Sequence, residues 1–300
     1  MDNPDANLDA DPEAYPDAIS TLAARAARHT TPCGDGRLLW HRWGPAEGAP
    51  GVVPDVVAVV LLHGGSGSWT HWLRNIAALV AAGHVVLVPD MPGFGDSAAP
   101  PDGQDADVLP GWLELGAQQL LGDQPLALVG FSFGALVAGL WAQAQPQRVA
   151  RLVLVGSPGL SAERLPALDL RRWDSLPPGA ARLAVHRHNL LQLMLAHPAS
   201  ATPLAVALHA ANVERDRLRQ RRLMLTDALV PVLPTLACPV HGIWGALDVL
   251  YRSRLPLIGQ VLGTAPQFCT LDLLPDAGHW VAFEAAEAFN AALAAALAPA

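Results

Sequence analysis

A serine stands between two glycines in the stretch VGFSFGAL, residues 129–136. Ser132 is two residues from Gly130 and two from Gly134. Glycines at this spacing are typical of a sharp turn from a strand into a helix, because they let the two elements pack closely. The apolar run PLALVG before the serine predicts a buried strand, and ALVAGLWAQAQ after it predicts a helix. Such a turn would present the hydroxyl as a nucleophile, provided that a base takes its proton.

Candidates for the base and for an acid behind it follow other apolar runs. His279 lies in PDAGHW after the run FCTLDLL, and Asp248 follows PVHGIWG. A histidine can accept the serine proton, and a carboxylate on its other ring nitrogen can orient the ring and stabilise the imidazolium. Asp272 and Asp276 are alternatives for the acid. Asp272 falls within a predicted strand, which is more typical of a sheet-edge or surface residue, and Asp276 lies in a turn that we expect to point elsewhere.

Strands and helices that could carry these residues alternate along the chain. Strands are predicted at 56–62, 84–90, 125–129, 149–156, 239–245 and 268–274, with helices at 69–82, 104–121, 133–145 and 252–262 and from about 280 onwards. Before them, a short helix is predicted at 18–29 and a hairpin around Gly34-Asp35-Gly36. Continuous apolar strands that alternate with helices indicate a parallel sheet covered on both faces, hence an α/β fold. Ligands bind at the carboxyl ends of such strands.

The alternation stops between 158 and 235, where no strand-like run occurs and several helices are predicted. We therefore expect one α/β core made of residues 19–157 and 236–300, interrupted by a helical piece at 158–235. Residues 1–18 are acidic and contain several prolines, so they are predicted to be a disordered tail.

Composition narrows the range of partners. The net charge of -8 disfavours a nucleic-acid partner, and the chain contains no lysine, which excludes Schiff-base and P-loop lysine chemistry. The three cysteines, at positions 33, 238 and 269, are scattered and favour a reduced, cytoplasmic setting. The acidic N-terminus lacks the pattern of a signal peptide. The longest apolar run, VVAVVLLHGG, is too short to span a membrane, so no membrane partner is expected.

Five loops together resemble a known family. HGGSGSW (63–69), DMPGFGDS (90–97), GFSFG (130–134), GALD (245–248) and DAGHW (276–280) follow successive predicted strands. In this order, with a helical insert before GALD, they resemble the α/β-hydrolase fold family with a helical cap, over roughly residues 31–300. The family usually places its acid after the strand that follows the cap, so the resemblance favours Asp248.

The resemblance implies the roles of individual residues. Ser132 is the expected nucleophile, His279 the base and Asp248 the acid. The backbone N–H groups of Gly65 and Phe133 are expected to form the oxyanion hole. Ser66, Phe131 and Trp280 are the expected pocket residues, and neither a metal nor an organic cofactor is implied.

The expected activity is hydrolysis of a small to medium apolar carboxylic ester through an acyl-enzyme. Related enzymes with aspartate as nucleophile, the haloalkane dehalogenases and epoxide hydrolases, are disfavoured by the serine. One alternative is a C–C bond hydrolase of aromatic meta-cleavage products, in which Trp follows the catalytic His, as Trp280 does here. In that group Asn usually precedes the nucleophile, whereas here it is Phe131. An acyltransferase and a non-catalytic ligand-binding protein of the same fold also stay open, as does the choice between monomer and homodimer.

A mixed charge run, ERDRLRQRR at 214–222, lies in the helical insert. It predicts a solvated helix face with i,i+4 ion pairs, and a substrate carboxylate is the alternative partner for its arginines.

Overall fold

The computed structural model describes residues 15–45, 57–162 and 165–298. The first fourteen residues of the predicted disordered tail at 1–18 therefore lie outside the described residues, and residues 15–18 belong to the first helix. The described strands are β1 (Ala27–Cys33), β2 (Gly36–Trp43), β3 (Ala58–Leu62), β4 (Val86–Pro89), β5 (Leu126–Phe131), β6 (Val149–Val155), β7 (Val240–Gly245) and β8 (Phe268–Leu274). The described α-helices are α1 (Tyr15–Ala24), α2 (Ile76–Ala81), α3 (Leu109–Leu121), α4 (Phe133–Ala144), α5 (Ala180–Leu193), α6 (Pro203–Glu214), α7 (Leu255–Leu262), α8 (Val281–Glu284) and α9 (Ala286–Leu297).

One eight-stranded sheet joins the strands in the order β1-β2-β4-β3-β5-β6-β7-β8. The first two strands form an antiparallel hairpin, and β2 pairs antiparallel with β4. Every other pair in the sheet is parallel. The prediction of an α/β fold with a mostly parallel sheet flanked by helices is confirmed.

Side chains of the central strands enter two cores, one on each face of the sheet. Along β3, Val60 and Leu62 belong to one apolar cluster, and Val59 and Leu61 belong to the other. Successive side chains of a strand point to opposite faces, so a strand buried on both faces must be apolar at every position. This explains why AVVLL is continuously apolar and completely buried.

The predicted helix at 18–29 is wrong in its last part. Helix α1 ends at Ala24, and the chain then enters β1, where Arg28 pairs with His41 and His29 with Trp40. Strand pairing satisfies the backbone N–H and C=O groups of these residues and overrides a helix-like local pattern, because propensity is a weak guide against tertiary context.

Between β6 and β7 the described residues form α5, α6 and short 3₁₀ turns, with no strand. The assignment of 158–235 to a separate cap stays a prediction. None of the described helices is long and apolar enough to cross a membrane.

Candidate active site

The turn between β5 and α4 holds Ser132 in a strained backbone conformation. Its φ is 51° and its ψ is −120°, a region that residues other than glycine rarely occupy. A Cβ added to Gly134 would lie 2.4 Å from the carbonyl oxygens of Leu62 and His63. A Cβ added to Gly130 would lie 2.4 Å from the carbonyl oxygen of Gly134. Only glycine therefore allows α4 to pack this closely on the sheet and leave the serine at the apex.

A continuous hydrogen-bonded chain runs from Ser132 to Asp248. The Ser132 Oγ lies 2.9 Å from Nε2 of His279, and Nδ1 of His279 lies 2.7 Å from Oδ2 of Asp248. Asp248 is completely buried, and its other oxygen accepts the backbone N–H of Leu250 at 2.9 Å. A carboxylate can only accept, so Nδ1 carries the hydrogen and Nε2 is left to accept the serine proton. This arrangement can activate a serine hydroxyl.

Both ring nitrogens of His279 are taken by partners other than the two alternative acids. Asp272 is in β8, where its carboxylate accepts the hydroxyl of Thr270 at 3.1 Å, and Asp276 is exposed. The structure thus brings together the three residues for which the resemblance implied catalytic roles.

The two expected oxyanion donors are neighbours. A Cβ on Gly65 would lie 3.6 Å from the Cβ of Phe133. Phe133 opens α4, and N–H groups in the first turn of a helix have no partner within it. The positive end of the helix dipole adds to the favourable potential for an anion at this place.

Two histidines that the sequence analysis did not single out hold the loop after β3. The Nε2 of His63 accepts the N–H of Met91 at 2.9 Å, and its Nδ1 donates to the Gly64 oxygen at 2.8 Å. The Nδ1 of His71 accepts the N–H of Gly64 at 3.1 Å. Burial lowers the pKa of His63 and sets that of His71 well below its usual range, so both rings are neutral at physiological pH. Only the fold shows which backbone groups they reach.

Asp90, the first residue of the loop DMPGFGDS, has a buried carboxylate that is hydrogen-bonded to backbone groups. Its carboxylate accepts the N–H groups of Trp69 and Asp96, both at 2.9 Å. Burial raises its pKa above the ordinary aspartate value. The carboxylate thereby links the loop at 90–97 to Trp69, the last residue of the loop at 63–69.

A cavity of about 500 Å³ lies beside Gly65 and Ser66, in the loop that follows β3. Its wall includes Gly65, Ser66 and His71 from the core; the apolar Trp173, Leu193, Met194 and Val213; and the charged Arg171, Arg172, Asp174, Asp216 and Arg219. A second cavity of about 420 Å³, beside Val57 and Ala127, contains none of the candidate residues.

Of the three expected pocket residues, only Ser66 lines the larger cavity. Phe131 is buried and packs its ring against the His279 ring at 5.1 Å between centroids. Trp280 is fully buried, stacks on Phe283 at 4.3 Å and donates its Nε1–H to the His71 carbonyl oxygen. Both large rings are thus buried, and they pack against the rings of His71 and His279 instead of lining the cavity.

Known proteins resemble this chain in sequence and in structure. Residues 57–193 match the family described as alpha/beta hydrolase fold. The 2-hydroxy-6-oxo-6-phenylhexa-2,4-dienoate hydrolase of Burkholderia cepacia is 28% identical over 242 residues, which cover 78% of this chain and 85% of the relative.

Among solved structures, the carboxylesterase CesB of Bacillus subtilis aligns with a TM-score of 0.73 at 19% identity, covering 95% of this chain and 96% of that one. The meta-cleavage product hydrolase of Pseudomonas fluorescens aligns with a TM-score of 0.71 at 21% identity, covering 91% and 98% of the two chains. At these identities the structural likeness shows the fold. Together with the sheet order and the sequence matches, it shows that the chain has the α/β-hydrolase fold and is an α/β-fold hydrolase.

Proposed function

We propose that this chain is a serine hydrolase that cleaves a C–C bond of a 2-hydroxy-6-oxo-dienoate, with Ser132 as nucleophile, His279 as base and Asp248 as the acid. The observation that carries the proposal is the hydrogen-bonded chain of these three residues, with distances of 2.9 Å and 2.7 Å. The proposed substrate is therefore not the apolar ester expected from the sequence. It belongs to the alternative given there, the aromatic meta-cleavage products.

In the proposed reaction the proton of the substrate's 2-hydroxyl group first moves to C5, which makes a ketone at C2, shifts the remaining double bond to C3–C4 and leaves the C6 ketone unconjugated. The Ser132 Oγ bonds to C6, and its proton passes to Nε2 of His279. The C5–C6 bond breaks, its electron pair enters the conjugated 2-oxo system, and His279 returns the proton to the 2-oxygen. Water then adds to the acyl carbon through the same base, releases the acid and restores the serine. The N–H groups of Gly65 and Phe133 would stabilise the oxygen of each tetrahedral intermediate.

Two observations support a dienoate. The Burkholderia cepacia relative is named for such a substrate and aligns over 78% of this chain. The cavity combines an apolar wall, which includes Trp173 and Leu193, with arginines 171, 172 and 219. An aromatic end group and a carboxylate are the two chemical features that such a cavity would accommodate.

Ester hydrolysis is the second candidate. It is favoured by Phe131, which stands where C–C hydrolases of this fold usually have Asn and which is buried against the His279 ring. The same three residues would then cleave a C–O bond, with the alcohol as leaving group.

The test compares wild type with Ser132→Ala on two substrates, 2-hydroxy-6-oxo-6-phenylhexa-2,4-dienoate and a series of p-nitrophenyl esters. We expect kcat/KM for the dienoate to exceed that for the best ester by about 100-fold or more. Ser132→Ala should lower turnover of the dienoate by at least about 10³-fold. Turnover of esters alone would replace the proposal with the ester reaction. Turnover of neither would favour a non-catalytic binding protein.

A further inference from the structure

The charge run after α6 is not a solvated helix face. Helix α6 ends at Glu214, and residues 215–222 form irregular backbone that lies on the core loops. The N–H of Arg217 donates to the Gly93 oxygen at 2.9 Å, and its guanidinium donates to the carbonyl oxygens of Phe94 and Gly95 at 3.3 and 3.1 Å. We call residues 215–222 the arginine segment. Within it, the Arg217 guanidinium meets carbonyl oxygens of the core loop at 90–97, whereas Arg222 stays exposed.

One carboxylate of the arginine segment reaches the loop that follows β3. Asp216 is only 8% exposed, and its Oδ2 accepts the Ser66 hydroxyl at 2.5 Å and the Arg221 guanidinium at 2.7 Å. Its Oδ1 accepts the N–H of Leu218 at 3.0 Å. Because Ser66 directly follows Gly65, this contact holds the residue next to a proposed oxyanion donor.

Arg221 packs against both proposed donors. Its guanidinium carbon lies 5.6 Å from the centre of the Phe133 ring and 3.5 Å from where a Cβ on Gly65 would lie. Its NH1 donates to the Leu218 oxygen at 2.8 Å, and its NH2 donates to the Ser66 Oγ at 3.3 Å. A planar guanidinium can hold several acceptors in one rigid arrangement, which lysine cannot do.

The backbone of Ser66 needs such support. Its φ is 50°, in the left-handed region that disfavours residues with a side chain. A strained residue of this kind keeps its conformation only when its surroundings hold it. Here the surroundings are the Asp216 carboxylate and the Arg221 guanidinium, both from the arginine segment.

We infer that Ser66, Asp216 and Arg221 are positioning residues that hold the Gly65 N–H in the oxyanion hole. The hole is then complete only when the arginine segment is seated on the core. The inference rests on the proposed serine chemistry, but it does not depend on which bond the enzyme cleaves. The three residues act through Gly65 and do not contact the reacting atoms.

The experiment measures how fast a fluorophosphonate labels Ser132, since phosphonylation places a phosphoryl oxygen in the same hole. The variants are Ser66→Ala, Ser66→Gly, Asp216→Asn and Arg221→Lys. The matched control is Arg222→Gln. Arg222 is an exposed residue of the same segment, and its replacement removes one positive charge. We expect labelling to slow by about 10- to 100-fold in Ser66→Ala, Ser66→Gly and Asp216→Asn, less in Arg221→Lys, and not in the control.

A second measurement separates positioning from general loss of structure. A trifluoromethyl ketone forms a hemiketal with the serine and needs the oxyanion hole, whereas the matching secondary alcohol binds without forming one. We expect the affinity for the ketone to fall by the same factor as the labelling rate. The affinity for the alcohol should change less than about twofold. Equal losses for both ligands would overturn the inference.

The outcomes distinguish this inference from the proposed function. If wild type is not labelled, the serine chemistry fails and the inference falls with it. If wild type is labelled and the four variants behave like Arg222→Gln, the inference alone is overturned. Should Asp216→Asn fail to fold, the two Ser66 variants decide, because they remove only a hydroxyl group or a single small side chain at a cavity wall.

Discussion

Asp248 shows how one buried carboxylate can decide the state of a neighbouring ring. Both of its oxygens are occupied, one by the His279 Nδ1 and the other by the Leu250 N–H. An amide in its place could donate as well as accept, and it would favour the opposite tautomer of the histidine. The serine would then face an N–H group in place of a lone pair.

At the residue scale, we therefore predict that Asp248→Asn lowers kcat by about 10³- to 10⁴-fold while the protein stays folded. The matched control is Asp276→Asn, which makes the same change at an exposed position three residues before His279. Steady-state kinetics and thermal unfolding measure the two effects. A loss of activity in Asp276→Asn of similar size would contradict the assignment of the acid.

At the scale of elements, the contact between α4 and the sheet sets the place of the nucleophile. Gly134 lies against the carbonyl oxygens at the end of β3, and these backbone atoms cannot turn away as a side chain could. By contrast, Gly111 in α3 has no atom within 4 Å of the position of an added Cβ.

We predict that Gly134→Ala lowers the free energy of unfolding by about 3 kcal/mol or more, because α4 must move away from β3. It should also abolish fluorophosphonate labelling, since the same movement displaces Ser132. Gly111→Ala should leave labelling intact and stabilise the protein by up to about 1 kcal/mol, since alanine is the better helix former. Denaturant unfolding checks both values. A fully stable and active Gly134→Ala protein would contradict the close contact.

At the scale of the whole molecule, buried neutral histidines couple stability to pH. Burial lowers the pKa of His41 to about 4 and that of His209 to about 4. In the unfolded chain, the pKa of both histidines returns to the ordinary value of about 6.5. Between these values the unfolded state binds more protons than the folded state, so stability falls as the pH drops from about 6.5 to about 4.

We predict a loss of up to about 1.4 kcal/mol per pH unit for each of the two histidines in that range. His41→Phe should reduce the slope by the share of one imidazole. The phenyl ring of the variant can still pack between Trp43 and Trp69, whose ring centres lie 5.8 and 5.1 Å from the centre of the His41 ring. Urea unfolding at pH 7.5, 6.0, 5.0 and 4.5 measures both slopes. An unchanged slope in His41→Phe would show that this histidine does not contribute.

The local sequence pattern was sufficient to predict most strands of the sheet and the turn at Ser132. The strands at 149–156 and 268–274 were predicted within one residue of β6 and β8. The prediction of a helix at 18–29 is wrong in its last part. Its final residues pair with β2, and a local window does not contain that partner.

What the sequence by itself determined is the α/β alternation, the strained serine turn and the order of the polar loops, since each depends on neighbours within a few residues. Tertiary structure alone decided the strand order, the burial of Phe131 and Trp280, and the contact of Asp216 with Ser66, which are 150 residues apart. A mixed charge run has the same local pattern whether its arginines meet water or the carbonyl oxygens of another loop. Its role depends on which groups the folded chain brings within hydrogen-bonding distance, and that is a property of the whole packing arrangement.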